Sequence, residues 1–289
     1  MLNGAFLYSG VPDELFTASL HSIRGARWVA AAPAIRNQAE LIPDDAFLQN
    51  CNMVAVLDPE FTSFAYLSEL VRRGCHLFLT EKQKMSPDDR MKLIHLAEEG
   101  NTLIQFRNDL LFHPSFTADN KNRLETKLVV LQHVAPQKHF MLQEMLYCNL
   151  LMTLKIIDAE PSRINVCSIP SSGEQADIVN LHMNFNNGSA ASLTFSFTGR
   201  KNEHLVSVHS SKGTTSYDFE DKNLFPTSLS KESGKKSHPD NWLLFKQITH
   251  FTESILKKNC QRNVLSEEAK TFILIERINQ KLLVGSVLI

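Results

Sequence analysis

Polar residues follow four of the short apolar runs in the first third of the chain, at the points where each run would end as a buried strand. They are Ser9-Gly10, Asp58-Pro59, Thr80-Glu81-Lys82 and Arg107-Asn108. In an open parallel sheet, ligands bind in the crevice outside the carboxyl ends of the strands. The residues therefore predict a small-molecule crevice with one lysine, Lys82, whose ammonium could stabilise negative charge on a reacting oxygen.

A second set of candidates lies on a long apolar segment, residues 138–157. Glu144, Cys148, Leu151 and Lys155 recur there at steps of three and four residues, which places them along one face of a helix. Glu144 and Cys148 are therefore candidate substrate contacts. The alternatives are a salt-bridged Glu144 at the rim of the site and a buried, apolar Cys148, because no base stands beside this thiol in the sequence.

The cysteines and histidines form no metal motif. The five cysteines are scattered and contain no C-x-x-C pair, so neither a zinc site nor a disulfide framework is predicted. Reduced thiols are typical of a cytoplasmic protein. His133 and His139 lie upstream of Glu144 and could reach the crevice, but isolated histidines serve more often as hydrogen-bonded structural groups.

The composition is that of an ordinary globular protein. The 289 residues suffice for two domains, and 43% of them are apolar and 21% charged. Thirty basic against 31 acidic residues leave a net charge of −1, so no excess positive charge is available for nucleic acid or an anionic membrane. No apolar run approaches the roughly 18 residues of a transmembrane helix. The 11 glycines are few for a glycine-rich phosphate cradle.

Strand-like runs alternate with amphipathic segments over the first hundred residues. Near-continuous apolar strands between helices are typical of a parallel sheet covered on both faces. The pattern predicts an α/β fold, a Rossmann-like doubly wound parallel sheet, for residues 1–108. The predicted strands are 5–8, 27–32, 53–57, 76–80 and 102–106, and the predicted helices are 13–23, 64–73 and 86–99.

The second half of the chain changes to period-two alternation, which is typical of antiparallel strands with one buried face. It predicts an α+β domain over residues 109–289 with a mostly antiparallel open sheet. The free face of this sheet predicts a homo-oligomer, a dimer or tetramer. The predicted strands are 163–169, 177–185, 189–197, 204–209 and 214–219, the helices are 138–157, 241–257 and 266–281, and a terminal strand or docking tail is 284–289.

With its elements in this order, the sequence resembles the Gfo/Idh/MocA (glucose–fructose oxidoreductase and inositol dehydrogenase) family. The resemblance lies first in Asp58-Pro59-Glu60, followed by a helix and then by residues 73–82, which end in Glu81-Lys82. The family reads approximately T-P-N-x-x-H, a helix, and G-K-H-V-x-x-E-K-P at this place. Later stretches that fit the family are residues 177–189, Ser211-Lys212-Gly213 and Ser266-Glu267-Glu268-Ala269.

The resemblance implies an N-terminal domain that binds NAD or NADP and a C-terminal sheet that shapes a pocket for a sugar-like substrate. By resemblance, Lys82 orients the substrate and assists proton transfer, and Glu81 positions Lys82. Asp58 and Pro59 would line the nicotinamide, together with Glu81. The turn that would hold the cofactor is Ser9, Gly10, Val11 and Pro12. The residues that would contact the substrate are Lys82, Arg107, Glu144 and Cys148.

The expected activity is therefore an NAD(P)-dependent oxidoreductase acting on a sugar, a polyol or a related hydroxy compound, without a metal. Several positions differ from the family pattern and leave other interpretations open. Residues 9–14 replace the family's G-x-G-x-x-G turn, keep one glycine, and place Asp13 and Glu14 at a helix N-terminus where a pyrophosphate would lie. Cys148 and Leu151 stand where the family carries H-x-x-D.

The second interpretation is a degenerate, cofactor-free family member that acts as a ligand-binding or scaffolding subunit. A third is an enzyme that uses the same crevice without nicotinamide.

Overall fold

The computed structural model describes residues 1–7, 19–30, 35–37, 40–42, 50–57, 63–80, 85–116, 125–136, 141–169, 177–225, 239–257 and 261–287. The chain forms two compact units. The first unit contains Met1–Asp109 and Phe225–Phe272, and the second contains Leu110–Leu224 and Ile273–Ile289.

The first unit is built on a five-stranded parallel sheet in the order β2-β1-β5-β6-β7, with a separate antiparallel pair, β3 and β4. Its strands are β1 (Leu2–Leu7), β2 (Ala26–Ala30), β3 (Ile35–Asn37), β4 (Glu40–Ile42), β5 (Met53–Val56), β6 (His76–Leu79) and β7 (Ile104–Phe106). The helices that follow its strands are α1 (Phe64–Arg72), α2 (Pro87–Gly100) and the short α3 (Asp109–Phe112).

Local sequence accounts for these elements. Every residue of β5 is apolar and fully buried, as expected of a strand in a parallel sheet that is covered on both faces. The helix α1 begins at Ser63, whose hydroxyl accepts from the backbone N–H of Tyr66. The helix α2 begins in the same way at Ser86 and ends before Asn101, which adopts the left-handed conformation with φ 55°.

The second unit holds a six-stranded sheet in the order β13-β12-β8-β11-β10-β9. All neighbouring strands are antiparallel except β8 and β11, which are parallel. The strands are β8 (Leu128–Val134), β9 (Pro161–Ile169), β10 (Ile178–Phe185), β11 (Ala190–Ser196), β12 (Glu203–Ser210) and β13 (Gly213–Asp218). The helices of the second half of the chain are α4 (Met141–Ile157), α5 (Pro239–Leu256) and α6 (Gln261–Val287).

These two sheets confirm the predicted fold class. The strand β8, which lies between β11 and β12 inside the second sheet, is not among the strands predicted from the sequence. The predicted terminal strand or tail at 284–289 is wrong over its first residues, because α6 continues to Val287.

Residues 225–272 rejoin the first unit after its first stretch ends at Asp109, and their aromatic side chains cover its sheet. Phe251 packs edge-on against Phe78 at 5.8 Å, and Phe272 packs against Phe106 at 5.0 Å. The sequence suggests that some terminal segment crosses back to the first domain, but it does not identify α5 and the first part of α6 as that segment.

Glycine is required at one close contact between β1 and β2. Gly4 pairs with Trp28, and a Cβ atom at Gly4 would lie 2.5 Å from Trp28 Cε3. The indole is 2% exposed, and its ring lies 4.6 Å from that of Phe6 at an interplanar angle of 34°. A side chain this deeply buried can move aside only by displacing its neighbours.

We expect Gly4→Ala to lower the free energy of unfolding by about 1–3 kcal/mol, because it overpacks a filled core. Urea unfolding of the two purified proteins measures this difference. Gly100→Ala is the matched control, since its Cβ would meet nothing closer than 3.7 Å. Equal losses from both substitutions would contradict the explanation by the Trp28 contact.

Candidate functional site

The carboxyl ends of the parallel strands define the candidate site. The chain leaves β1 for β2 on one side of the sheet, and β5 lies on the other side of β1. This is a topological switch point, where open α/β sheets bind their ligands. At this edge the backbone N–H of Leu57 donates to the carbonyl of Leu7 at 2.9 Å.

Most of the predicted site residues lie outside the described residues, directly after these strands. Ser9, Gly10, Val11 and Pro12 follow β1, Asp58 and Pro59 follow β5, and Glu81 and Lys82 follow β6. Thr80, the last described residue before Glu81, is buried, and its N–H donates to the carbonyl of Val56 at 3.0 Å. These backbone hydrogen bonds between neighbouring strands therefore hold together the strand ends. The predicted catalytic and cofactor-binding segments follow these ends in the sequence.

Arg107 is the predicted site residue that the structure describes at this edge. Its Nε and Nη2 donate to Asp109 Oδ1 and Oδ2 at 2.8 and 2.7 Å, in a bidentate pair. Asp109 Oδ1 also accepts from Gln247 Nε2 at 2.7 Å, and Gln247 Oε1 accepts from the N–H of Asn108 at 2.8 Å. The buried Gln247 thereby fixes the turn after β7 and the plane of the guanidinium.

A buried carboxylate also holds β7. Glu268, on α6, is 3% exposed, and its Oε1 accepts from the backbone N–H of Phe106 at 3.3 Å. This carboxylate belongs to the Ser266-Glu267-Glu268-Ala269 motif that the sequence analysis singled out. The returning segment of the chain therefore anchors the last strand beside the crevice edge.

The predicted candidates on the long helix lie in the second unit. Glu144 and Cys148 are half-buried, one turn apart on α4, so the structure brings these two together as predicted. Lys155 lies further along the same face of the helix. Leu151, which stands between Cys148 and Lys155, is 3% exposed. Arg107 belongs to the first unit.

Sequence reasoning missed a polar network under α4. Asn149 Nδ2 donates to the carbonyl of Met145 at 2.8 Å, which fixes the amide orientation. Asn149 Oδ1 then accepts from His204 Nε2 at 2.8 Å, and Asn149 Nδ2 lies 3.2 Å from His133 Nδ1. The two imidazoles stack at 4.0 Å with an interplanar angle of 11°. An asparagine amid the apolar residues of this helix was the signal in the sequence.

The network requires His133 to be neutral. Since Asn149 Nδ2 is a donor, His133 Nδ1 must accept, and this nitrogen carries no proton. Burial lowers the pKa of His133 to about 4. Burial, followed by the neighbouring His133 and His113, lowers the pKa of His204 well below its usual value. The structure thus gives His133 a hydrogen-bonded structural role.

Metal and membrane features are lacking within the described ranges. They contain no group of three or more His, Cys, Asp and Glu residues placed to hold a metal ion. None of the helices described is both long and apolar enough to cross a membrane.

Comparison with known proteins places this architecture among dehydrogenases. No family model matches the sequence. The UDP-N-acetylglucosamine 3-dehydrogenase of Acidithiobacillus ferrooxidans is 22% identical over 181 residues, which are 61% of this chain and 58% of that protein. The solved structure of the same enzyme superposes over 99% of both chains, with a TM-score of 0.75 and 16% identity.

Two further solved structures have the same architecture. The myo-inositol dehydrogenase of Corynebacterium glutamicum matches 97% of this chain and 96% of its own, with a TM-score of 0.73 and 13% identity. GenD2 from gentamicin A biosynthesis, crystallised with NAD, matches 97% of this chain and 93% of its own, with a TM-score of 0.71 and 12% identity.

These likenesses confirm the resemblance found in the sequence at the level of the fold. The chain has the two-domain fold of the Gfo/Idh/MocA-type dehydrogenases.

We expect the free energy of unfolding to fall as the pH drops from about 6.5 towards 4. The unfolded histidines bind protons with a pKa of about 6.5, whereas burial lowers the pKa of folded His133 to about 4 and that of folded His204 well below its usual value. Above about pH 6.5, the neutral histidines contribute to the free energy of unfolding, and between about pH 6.5 and 4 this contribution is lost. His76, whose pKa burial lowers to about 4, acts in the same direction in the first unit.

His133→Gln tests the contribution of the network, because glutamine keeps an acceptor for Asn149 and cannot titrate. Between pH 6.5 and 5, the variant should lose about 1–2 kcal/mol less stability than the original protein. Urea unfolding at several pH values measures the slope. His209→Gln, at an exposed histidine bound to Thr214, is the control, and an unchanged slope in His133→Gln would refute the assignment.

Proposed function

We propose that this chain is an NAD(P)-dependent oxidoreductase that acts on a sugar, a polyol or a related hydroxy compound. The observation that carries the proposal is the topological switch point at β1, between β2 and β5. Over 97–99% of its length, the chain superposes on solved dehydrogenase structures. A cytoplasmic location is part of the proposal and is supported by the scattered cysteines, which contain no C-x-x-C pair.

The described end of β1 supports this assignment. β1 is buried up to Leu7, and in Rossmann folds the pyrophosphate lies beyond the carboxyl end of this strand. The turn Ser9, Gly10, Val11 and Pro12 would hold the cofactor, with Asp58, Pro59 and Glu81 beside the nicotinamide. A bound nicotinamide supplies the hydride acceptor, and the remaining tasks belong to residues of the chain.

Lys82 carries the proton chemistry in this proposal. When a carbinol is oxidised, its C–H bond gives up a hydride and its O–H bond gives up a proton. An amine at Lys82 Nζ would take that proton, or as an ammonium would stabilise the alkoxide as it develops. Glu81 would orient this side chain. Asp109 holds the guanidinium of Arg107 in plane. The edge of this paired guanidinium would contact the substrate.

On the second unit, Glu144 and Cys148 would contact the substrate from α4. Both are half-buried, which suits side chains that line a pocket. The tested substrates should include UDP-N-acetylglucosamine and myo-inositol, since enzymes of this fold act on them.

A cofactor-free ligand-binding or scaffolding role is the second candidate. A specific observation favours it: the α4 position where the family has a carboxylate is Leu151, which is 3% exposed in the core. The single glycine of the Ser9–Pro12 turn and the acidic Asp13 and Glu14 point the same way, because negative charge at a helix N-terminus repels a pyrophosphate.

We further propose that two copies of the chain associate through the open face of the six-stranded sheet. The strands β8, β10 and β11 carry no Asp, Glu, Lys or Arg. Leu128, Val130 and Leu205 on this sheet are 41–46% exposed. A sheet face whose central strands carry no charge can cover its own copy in an isologous contact.

We expect the protein to bind NADH or NADPH in the micromolar range in a calorimetric titration. Lys82→Ala should bind the same cofactor with similar affinity and lower the turnover of a sugar or polyol substrate by at least about 10²-fold, as loss of a proton-transfer group does. Asp13→Asn should tighten binding several-fold by removing negative charge next to the pyrophosphate.

No heat and no thermal shift with millimolar cofactor in any of these variants would reject the oxidoreductase function and favour the cofactor-free role. Binding without turnover would instead leave the substrate to be sought among other hydroxy compounds.

The dimer predicts a response to a charge placed on the sheet face. Val130→Glu should convert the protein to a monomer in sedimentation experiments, because an unpaired carboxylate would be buried between the copies. Asn202→Glu adds the same charge in the turn before β12 and should leave the dimer intact. A monomeric mass for the unmodified protein would contradict the proposal.

A further inference from the structure

Gln247 is a fully buried glutamine on α5 whose amide is hydrogen-bonded at both ends. The residue is 0% exposed. Its Oε1 accepts from the backbone N–H of Asn108 at 2.8 Å, and its Nε2 donates to Asp109 Oδ1 at 2.7 Å. Burying an amide costs free energy unless its hydrogen bonds are made. The turn after β7 must therefore keep one conformation against α5 to satisfy this side chain.

The same turn carries Arg107. The backbone N–H of Arg107 donates to the carbonyl of Leu79 at 2.7 Å, which extends the pairing of β6 and β7 beyond the end of β7. Lys82 follows Leu79 by three residues in the sequence. The side chains of Arg107 and Asp109 are 21% and 35% exposed, so both reach solvent at the carboxyl edge of the sheet.

Gln247 acts on the guanidinium through Asp109. Asp109 Oδ1 accepts both from Gln247 Nε2 and from Arg107 Nε, and Asp109 Oδ2 accepts from Arg107 Nη2. The buried amide fixes one oxygen of the carboxylate, and the bidentate contact then fixes the plane of the guanidinium. The orientation of a side chain at the surface thus depends on a residue in the core.

We propose that Gln247 is the positioning residue of the Arg107–Asp109 pair and that this pair receives an uncharged, hydroxyl-bearing part of the substrate. The proposal rests on the oxidoreductase function proposed above. A ligand carboxylate or phosphate that approached Arg107 would also meet the negative charge of Asp109. A hydroxyl oxygen is a neutral acceptor for guanidinium N–H donors and avoids this repulsion.

The first test follows the guanidinium without any substrate. The Nε–H proton of Arg107 gives an NMR signal, which Arg107→Lys identifies by its loss. In Gln247→Leu, this proton should exchange with water about fivefold faster, the factor that corresponds to one lost hydrogen bond. If this variant does not fold, Gln247→Asn serves instead, because its shorter side chain cannot reach both partners.

The matched control is Thr252→Val, which removes another fully buried polar group of α5. The hydroxyl of Thr252 donates to the carbonyl of Ile248 within the helix, so its loss should leave the exchange rate of the Arg107 proton unchanged. An equal rate in the Gln247 variant and the unmodified protein would overturn the positioning role.

The second test is turnover of myo-inositol and UDP-N-acetylglucosamine. Gln247→Leu should raise KM about fivefold and leave kcat nearly unchanged, because the guanidinium binds the substrate and takes no part in proton transfer. A loss confined to kcat would contradict the proposal. Absence of turnover in the unmodified protein would count against the oxidoreductase function, whereas the exchange rates would still decide whether Gln247 positions Arg107.

The third test addresses the charge of the group that Arg107 receives. Inorganic phosphate is the probe, added at constant ionic strength while the NMR signal of Arg107 Cζ is followed. The signal should stay in place in the unmodified protein, since Asp109 balances the guanidinium, and should shift saturably in Asp109→Asn. A saturable shift in the unmodified protein, or none in Asp109→Asn, would overturn the assignment of an uncharged group.

Discussion

Burial of the parallel strands on both faces is the constraint on which the first unit depends. β5 has no residue in contact with solvent, and a strand of this kind requires helices above and below it. Phe78 on β6 and Phe106 on β7 face opposite sides, since Leu79, the neighbour of Phe78, pairs with Phe106. Phe251 of α5 covers one of them and Phe272 of α6 covers the other. The sheet is therefore completed by residues far away in sequence.

The same arrangement supports the carboxyl edge of the sheet. Backbone hydrogen bonds between neighbouring strands hold the ends of β1, β5, β6 and β7 there, and Gln247 joins the turn after β7 to α5. Binding and catalytic residues are often carried by loops that a scaffold of this kind positions.

Much of the fold could be predicted from the sequence, because strand and helix periods are local properties. The Ser63 and Ser86 caps, the apolar runs of β5 and β6, and the alternation of β10 and β11 each signal their element directly. The strand β8 was not predicted, although exposed and buried residues alternate along most of it.

The site was harder to predict, because its contacts join distant residues. The pairing of Arg107 with Asp109 is local, but its support by Gln247 spans 138 residues between Asp109 and Gln247. The partners of Asn149 likewise come from β8 and β12. Periodicity identifies a polar residue on a buried face, but only the folded chain shows which groups satisfy it. For the Ser9–Pro12 turn and Lys82, the family resemblance remains the source of the assignment.

The discontinuous first unit has a consequence for biosynthesis. Its sheet is synthesised by residue 109, but α5 and the part of α6 that belongs to it follow only with residues 225–272. At about 5–20 residues per second, the ribosome needs roughly 8–30 s to add the residues from 110 to 272. During that interval the nascent sheet displays Phe78 and Phe106 without their aromatic partners. The emerging chain is therefore a natural client for chaperones that recognise exposed aromatic surface.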